Sequence, residues 1–404
     1  MPSLTRRDFL IFTGAAGAAI VVTSLGKDWL LKYNDPESKP ISESPMPSNS
    51  PSFMFVSGYA PADQPGIQAF LFNETSGALT PHGSFTGITN PSFLIVHPNG
   101  HWLYAVSEAA KDSDGKFGDV WAFRFEREPF MIESMNHQTT RGDWPCHLRI
   151  DGTGQWIIAA NYGTGSAAVY PLLDDGSLGE MTDFVQHSGK GPNEKRQEGP
   201  HAHSSTFTPD NRFVIIADLG IDQLVIYKFD IATGKLEPHS SAQSQPGAGP
   251  RHTIFHPNGK WFYAANELGS TVSVYEYDAA HGTLTEKQTI STLPSNARDK
   301  APENIVADIH ISDSGKRLYV SNRGHNSIAV FDINDDGSLR LVSIPSCGGN
   351  WPRNFALAPH GNFVLVANQH SNEVCILPAL EGKDALGAPV LREPVTGASC
   401  IQFV

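Results

Sequence analysis

A set of cationic and titratable side chains recurs at equivalent places of a repeated sequence unit. One histidine, one glutamate and three arginines make up this set, namely His203, Arg251, Glu267, Arg323 and Arg353. An imidazole can take a proton from water, and guanidinium groups can hold a carboxylate, a phosphate or an oxyanion. Together these residue types indicate a site for an anionic or carbonyl substrate. Each residue taken alone is also consistent with a surface salt bridge.

The repeated unit is clearest over residues 255–284. It begins FHPNGKWFYAANE, continues with the alternating segment TVSVYEY at 271–277, and has a second glycine turn at 282. This reads as four short strands separated by turns, because β-branched and aromatic residues alternate with polar ones. The turn residues of six units lie 46 to 57 residues apart and are Gly100, Gly154, Asn211, Gly259, Gly315 and Gly361. Four strands in a period near 50 residues predict a β-propeller.

A seventh unit begins at Phe53 but lacks a leading strand. The C-terminal segment SCIQFV at 399–404 resembles the leading strands of the other units. We therefore predict an all-β, seven-bladed β-propeller over residues 53–404, closed into a ring when the C-terminal strand completes the first blade. The leading strands would line a central channel, and functional residues would lie at one of its mouths.

Alignment of the units gives two sets of equivalent residues, with one residue from each blade, which we call the first and second ring positions. The residue types at both positions differ from blade to blade. The first, in the leading strand, holds Ser92, Cys146, His203, Arg251, Ala307, Arg353 and Ser399. The second, after the second strand, holds Tyr59, Glu108, Tyr162, Leu219, Glu267, Arg323 and Gln369. A purely structural position would repeat one residue type, so this variation favours a binding or catalytic site.

Three further histidines are candidates for contacts with a substrate. His201 shares one face of a strand with His203, His252 follows Arg251, and His310 lies in the leading strand of the sixth unit. By strand alternation His310 is out of phase with Arg251, so a bulge is required to bring both side chains to the channel. His-x-His is a weak metal signal because no third ligand stands at a recognisable spacing. The sequence requires no metal or cofactor, although a divalent ion in the channel stays an open alternative.

Composition argues against several other classes of protein. The chain has 404 residues with 42 acidic and 29 basic side chains, and its formal charge of −13 argues against binding to nucleic acid. No glycine-rich stretch opens a helix and no Gly-x-Ser-x-Gly occurs, so neither a phosphate loop nor a nucleophile elbow is expected. The four cysteines lack paired spacing, which predicts buried free thiols. We expect the protein to be a monomer.

The first 52 residues read as an export signal and a linker. Residues 1–30 combine the pair Arg6 and Arg7 with an apolar stretch, which resembles a twin-arginine signal. This stretch is shorter than the roughly 20 residues that span a bilayer, and no clean cleavage site follows, so cleavage and retention as an anchor both stay open. Residues 31–52 are rich in proline and serine, as linkers are. We expect recognition by the twin-arginine export machinery and a location in the periplasm or cell envelope.

Several motifs of the repeat belong together. They are GPHAH at 199–203, GPRH at 249–252, YAANE at 263–267, LYVSNRG at 318–324 and WPRN at 351–354. In this order they resemble the seven-bladed lactonase family, which includes the propeller-type 6-phosphogluconolactonase of bacteria and the fungal carboxymuconate lactonizing enzyme. The resemblance covers roughly residues 53–404. It implies that His203, Arg251, Glu267 and Arg323 match the active-site cluster proposed for the lactonizing branch of that family.

The resemblance implies a hydrolase of the 6-phosphogluconolactonase type that acts on a sugar lactone. His203 or Glu267 would be the base and Arg251 the partner of the oxyanion, and Arg323 and Arg353 would hold a phosphate or carboxylate. A neutral imidazole is the better base, since a glutamate among three guanidinium groups has a lowered pKa. Two alternatives stay open, a muconate-type cyclase and an exported propeller that binds a partner without catalysis. The export signal also leaves the phosphorylation of the substrate open.

Overall fold

The alternating segments of the sequence form strands that pair in order into four-stranded antiparallel sheets. In this computed structural model, which describes residues 51–295, 304–380 and 385–404, there are seven such sheets. The described residues all lie in one compact unit, Asn49–Val404. No helix in these three ranges is long and apolar enough to cross a membrane.

The seven sheets are the blades of a propeller, and their strands are as follows. Blade one contains β1 (Ser52–Gly58), β2 (Ile67–Phe72), β3 (Leu79–Phe85) and the leading strand β28 (Ala398–Phe403). Blades two and three contain β4 (Leu94–Val96), β5 (Trp102–Ser107), β6 (Asp119–Glu126), β7 (Met131–Thr139), β8 (Pro145–Ile150), β9 (Trp156–Asn161), β10 (Ser166–Pro171) and β11 (Asp183–Gln186). Blades four and five contain β12 (Ala202–Phe207), β13 (Phe213–Asp218), β14 (Gln223–Asp230), β15 (Lys235–Gln243), β16 (Pro250–Phe255), β17 (Trp261–Asn266), β18 (Thr271–Asp278) and β19 (Thr283–Ser291). Blades six and seven contain β20 (Ile305–Ile311), β21 (Arg317–Arg323), β22 (Ser327–Ile333), β23 (Leu339–Ser343), β24 (Pro352–Leu357), β25 (Phe363–Asn368), β26 (Glu373–Pro378) and β27 (Leu391–Pro394).

The blades form a closed ring around their leading strands. Each leading strand contacts that of the next blade, and β24 of blade seven contacts β28 of blade one. Seven clusters of buried apolar side chains fill the spaces between adjacent blades. The cluster at the closure packs Val56 and Phe72 of blade one against Leu365 of blade seven. Burial of both faces of each sheet is therefore the main stabilising force of the ring.

The C-terminal strand closes the ring. It pairs antiparallel with β1, with Met54 opposite Phe403 and Val56 opposite Ile401. This pairing covers an edge of β1 that would otherwise present unpaired N–H and C=O groups. The predicted seven-bladed propeller closed by its C-terminal strand is confirmed. The predicted signal at 1–30 and all but the last two residues of the predicted linker at 31–52 lie outside the described residues.

Six of the blades turn between their first two strands at a residue with left-handed backbone. These are the turn residues identified in the repeat, and their φ angles lie between 59° and 73° at Gly100, Gly154, Asn211, Gly259, Gly315 and Gly361. Glycine and asparagine adopt this conformation with little strain, whereas most other residues do not. The repeated glycine is therefore a requirement of the turn.

Six of the seven leading strands carry a β-bulge near their start, and β4 does not. In β16 the pairing with β17 passes from Pro250 directly to His252, so Arg251 is the extra residue. The bulges of β8, β12 and β24 have the extra residues Cys146, His203 and Arg353. A bulge bends its strand and re-aims a side chain. These four residues are members of the first ring position, which explains how four blades direct a side chain to the same mouth of the channel.

Below this ring, a buried carboxylate joins three blades. Asp308 Oδ1 lies 2.8 Å from His252 Nδ1 of blade five, and Asp308 Oδ2 accepts a hydrogen bond of 2.5 Å from Asn354 Nδ2 of blade seven. The same Oδ2 lies 2.9 Å from His310 Nε2. Burial opposes ionisation of Asp308, but His310 and His252 outweigh it and hold the pKa well below the usual value. Asp308 is therefore ionised at neutral pH and links the blades at the channel.

We expect Asp308→Asn to lower the free energy of unfolding by about 1–3 kcal/mol at pH 7, because the amide leaves buried donors without an acceptor. A carboxyl with a lowered pKa stabilises the fold above its unfolded-state pKa near ~3.9, and this contribution is lost as the pH falls through the folded-state pKa. The difference between wild type and variant should therefore stay constant from pH 7 down to about pH 5 and shrink as the pH falls below the unfolded-state pKa. Urea unfolding at several pH values measures it, with the exposed Asp313→Asn as control. A difference that does not change with pH would contradict the assignment.

Candidate active site

A cavity of about 420 Å³ opens at the mouth to which the bulged residues are directed. Residues of both predicted ring positions line it, together with others, and the full set is Tyr59, Asn90, Glu108, Trp144, Cys146, Tyr162, Arg196, His203, Glu267, Arg323 and Arg353. The volume lies in the range of small-molecule sites. The structure thus brings His203, Glu267, Arg323 and Arg353 together, as the alignment of the repeats predicted.

Glu267 is the centre of a cluster of arginines. Its Oε1 accepts a hydrogen bond of 2.5 Å from Arg196 Nη2, and its Oε2 accepts one of 2.6 Å from Arg323 Nη2. Arg251 Nε lies 3.0 Å from the same Oε2. Burial opposes ionisation of Glu267, but Arg323, Arg251 and Arg196 outweigh it and lower its pKa to about 2. The carboxylate is a weak base at neutral pH, and its contacts fix the three guanidinium groups.

Arg251 lies behind this carboxylate. It is buried, and its Nη1 donates a hydrogen bond of 2.7 Å to the carbonyl oxygen of Ala307. It does not belong to the residues that line the cavity. Arg323 does line it, and burial lowers the pKa of its guanidinium to about 9 against the opposing effect of Glu267. Arg323 therefore stays protonated at pH 7 and is the better placed of the two for a contact with a ligand.

His203 stands beside these arginines as a neutral imidazole. Burial, followed by the charge of Arg251, lowers its pKa well below the usual value of 6.5. Its Nδ1 lies 3.6 Å from Cys146 Sγ, and the Cys146 thiol donates to the carbonyl oxygen of His203 at 3.4 Å. Burial raises the pKa of that thiol, so Cys146 stays protonated. A neutral imidazole at a cavity that admits water can act as a general base.

A second carboxylate lies at the cavity. Glu108 Oε2 accepts a hydrogen bond of 2.6 Å from the Tyr59 hydroxyl and another from Ser92 Oγ. Arg353 Nη2 lies 3.8 Å from the same oxygen, and the Arg353 guanidinium lies 4.9 Å from the centre of the Tyr59 ring. Of the charged groups around the cavity, the arginines outnumber the glutamates. In an acidic protein this local excess of positive charge favours an anionic ligand or transition state.

Sequence reasoning missed Arg196. This residue comes from the long segment 187–201 between β11 and β12, whereas the equivalent connection between β15 and β16 covers only residues 244–249. Its Nη2 also donates a hydrogen bond of 3.2 Å to the Tyr162 hydroxyl. The neighbouring Gln197 anchors the segment by donating hydrogen bonds of 2.7 Å to Asp222 Oδ1 and 2.8 Å to the carbonyl oxygen of Leu219. The only sequence signal was the length of the segment, since long connections in compact domains are often functional.

The three additional histidines do not line the cavity. The ring of His201 stacks behind Tyr162, with 4.5 Å between the ring centres. His252 and His310 lie along the channel, where both contact Asp308. Strand alternation predicted that a bulge is required to bring His310 to the channel. A bulge is present in β20, but its extra residues are Ala307 and Asp308, and Asp308 lies beside His252. Among the described residues, no group of three or more His, Cys, Asp or Glu side chains could hold a metal ion.

Residues 53–403 match the protein family described as lactonase, 7-bladed beta-propeller. The chain belongs to this family. Its relatives include the 6-phosphogluconolactonase of Bacillus subtilis strain 168, which is 36% identical over 323 residues that cover 80% of this chain and 89% of that protein. The 6-phosphogluconolactonase of Formosa agariphila is 36% identical over 318 residues, covering 77% of this chain and 87% of that protein.

A solved structure extends the comparison. The periplasmic gluconolactonase PpgL of Pseudomonas aeruginosa superposes with a TM-score of 0.81 and 29% identity, covering 88% of this chain and 99% of that one. The family resemblance identified from the sequence motifs is confirmed. This lactonase is a lactone-hydrolysing enzyme, a carboxylic ester hydrolase whose substrate is a small molecule. The interpretation as a propeller without catalytic activity is therefore not needed.

We expect Glu267→Gln to lower the free energy of unfolding by about 3–5 kcal/mol, because the change leaves buried guanidinium groups without a compensating charge. Chemical denaturation of the variant and the wild type measures the loss. Glu237→Gln is the matched control, since Glu237 is largely exposed and its ion pair is with the exposed Lys228. A loss at Glu267 no larger than that of the control would contradict the central role of this carboxylate.

Proposed function

We propose that this lactonase hydrolyses a sugar 1,5-lactone, such as glucono-1,5-lactone or its 6-phosphate, with His203 as general base. The observation that carries the proposal is the neutral imidazole of His203 at the same cavity as guanidinium groups that Glu267 holds in place. Such an arrangement can activate water and stabilise negative charge at once. The names of the two curated relatives support the sugar lactone as substrate class.

The reaction needs one proton carrier and one anion stabiliser. In the first step His203 takes a proton from water, the oxygen of that water bonds to the lactone carbonyl carbon, and the carbonyl oxygen becomes an oxyanion. In the second step the oxyanion reforms the carbonyl, the bond between this carbon and the ring oxygen breaks, and the protonated His203 returns its proton to the ring oxygen. The product is the open-chain hydroxy acid, which ionises at neutral pH. His203 ends the cycle neutral, as it began.

The geometry favours Arg323 over Arg251 as the partner of the oxyanion. Arg323 lines the cavity, whereas Arg251 does not. Both guanidinium groups are buried and donate to a backbone carbonyl oxygen, so contact with the cavity is what distinguishes them. Because Glu267 already holds Arg323, little reorganisation is needed when charge develops on the substrate. Arg251 then acts indirectly, since its charge contributes to the low pKa of His203.

Arg196 and Arg353 are the candidates for an anionic substituent of the substrate. Both line the cavity, and the Arg196 side chain is 35% exposed, compared with 5% for Arg323. A guanidinium that can be reached from solvent suits bidentate contacts with a phosphate. The ratio of kcat/KM for 6-phosphoglucono-1,5-lactone to that for glucono-1,5-lactone reports whether these arginines bind a phosphate.

We expect His203→Ala to lower kcat about 10²- to 10⁴-fold, the usual contribution of a positioned base. The measurement is the hydrolysis of both gluconolactones by purified residues 51–404 after subtraction of spontaneous ring opening. His281→Ala is the control, because His281 is exposed on the turn between β18 and β19. A His203→Ala enzyme as active as this control would rule out His203 as the base, and no turnover by the wild type on either lactone would contradict the sugar-lactonase proposal.

The proposal extends to the location of the enzyme. The Arg6 and Arg7 pair before an apolar stretch supports export by the twin-arginine machinery, and one structural relative is named as periplasmic. We expect Arg6→Lys together with Arg7→Lys to abolish appearance of the full chain in the periplasmic fraction of a bacterial host, with Lys27→Arg as control. Export of the double variant at the wild-type level would contradict this prediction.

A further inference from the structure

One backbone position recurs with left-handed φ just before the leading segment of five blades. Its φ angles lie between 46° and 68° at Asn90, Trp144, Gly249, Trp351 and Gly397. The carbonyl oxygen of this residue accepts a hydrogen bond from the backbone N–H of the second-ring residue. These bonds measure 2.7–3.0 Å and come from Glu108, Tyr162, Glu267, Gln369 and Tyr59. The conformation is therefore part of the blade architecture.

Two of these five positions hold a residue type that the conformation disfavours. Glycine and asparagine adopt left-handed φ readily, but a bulky residue there is strained. Trp144 and Trp351 each precede a proline, which restricts their backbone further. The blade architecture alone would favour the residue types seen at Asn90 and Gly249. Strained residues that persist in a fold tend to serve a function, so an explanation for Trp144 and Trp351 has to come from their side chains.

The indole of Trp144 belongs to the cavity. Trp144 is 45% exposed, and of the six large exposed apolar residues in the described part of the chain it alone lines the cavity. Its ring stacks on Tyr162 with 6.4 Å between centres. A Cβ on Gly163 would lie 3.0 Å from Trp144 Cε3, so the glycine leaves room for the indole. The ring is thus backed by a second aromatic ring and open to the cavity.

Trp351 is used differently. Its ring stacks on His370 with 4.5 Å between the ring centres. The guanidinium of Arg323 lies 5.7 Å from the centre of the Trp351 ring. It is only partly exposed and does not line the cavity. Its surroundings fit a role in packing beside Arg323, whereas those of Trp144 leave an aromatic surface for a ligand.

We propose that Trp144 is the platform on which the ring of the sugar lactone stacks during hydrolysis. Trp144 immediately precedes β8, and Cys146 of that strand has its Sγ 3.6 Å from Nδ1 of His203 in β12. The platform and the base therefore line the same cavity from adjacent blades. The C–H face of a pyranose ring packs against an indole, while its hydroxyl groups stay free for the polar groups of the cavity. The proposal rests on the proposed function, because it assigns Trp144 as the residue that selects cyclic sugar substrates.

The test compares Trp144→Gly with Trp144→Phe. Glycine removes both the ring and the backbone strain, so we expect an unchanged or higher Tm, a KM for glucono-1,5-lactone raised about 10-fold, and kcat within about 2-fold of the wild type. Phenylalanine keeps an aromatic face, so KM should stay within about 3-fold. Leu173→Ala, a change at an exposed apolar residue outside the cavity, is the control for both measurements.

A merely structural Trp144 would give the opposite pattern. Trp144→Gly would then lower Tm and leave KM near the wild-type value, and that result would overturn the proposal. Calorimetric titration with D-glucono-1,5-lactam, a cyclic analogue of the lactone whose amide bond resists hydrolysis, separates this proposal from the lactonase mechanism because it needs no turnover. Affinity lost in Trp144→Gly and kept in Trp144→Phe supports the platform even for an enzyme that fails on the tested lactones. Equal affinity of wild type and Trp144→Gly rejects the platform even where hydrolysis is intact.

Discussion

The carboxylate of Glu267 holds guanidinium groups from two blades and one loop within 3.0 Å of its oxygens. Positive charges this close repel one another, and burial makes the repulsion larger than it would be in water. Glu267 removes that penalty and at the same time fixes the direction of each guanidinium. Burial and then the arginines lower the pKa of His203, which keeps the imidazole neutral. The proposed anion stabiliser thus depends on a single buried carboxylate that takes no proton itself.

The propeller supplies the positions, and the differences between blades supply the chemistry. Bulges at the start of the leading strands direct Cys146, His203, Arg251 and Arg353 towards one mouth. The second ring position brings Glu267 and Arg323 to the same place from neighbouring blades. Below them, Asp308 contacts side chains of blades five, six and seven. These contacts make the interior of the channel beneath the site rigid. Such preorganisation is what stabilisation of a transient oxyanion requires.

The sequence predicted the fold and the centre of the site because both are periodic. Turn glycines set the blade register, and register alone aligns His203, Glu267 and Arg323. Three other features of the site could not be predicted from the sequence, each for a physical reason. Arg196 lies in a segment outside the repeat, and the burial of Arg251 behind Glu267 depends on side-chain packing rather than spacing. The position of His310 along the channel depends on the bulge in β20, and the alternation of residue types does not show where that bulge lies.

The pH dependence of kcat/KM for glucono-1,5-lactone tests most directly whether a neutral His203 is the base. Burial and nearby arginines lower the pKa of this imidazole, so the base is already deprotonated in mildly acidic solution. The account predicts that kcat/KM, corrected for spontaneous opening, stays level from neutral pH down past the ordinary histidine pKa near ~6.5, with its acid limb below that value. An acid limb centred at or above the ordinary value would contradict the account.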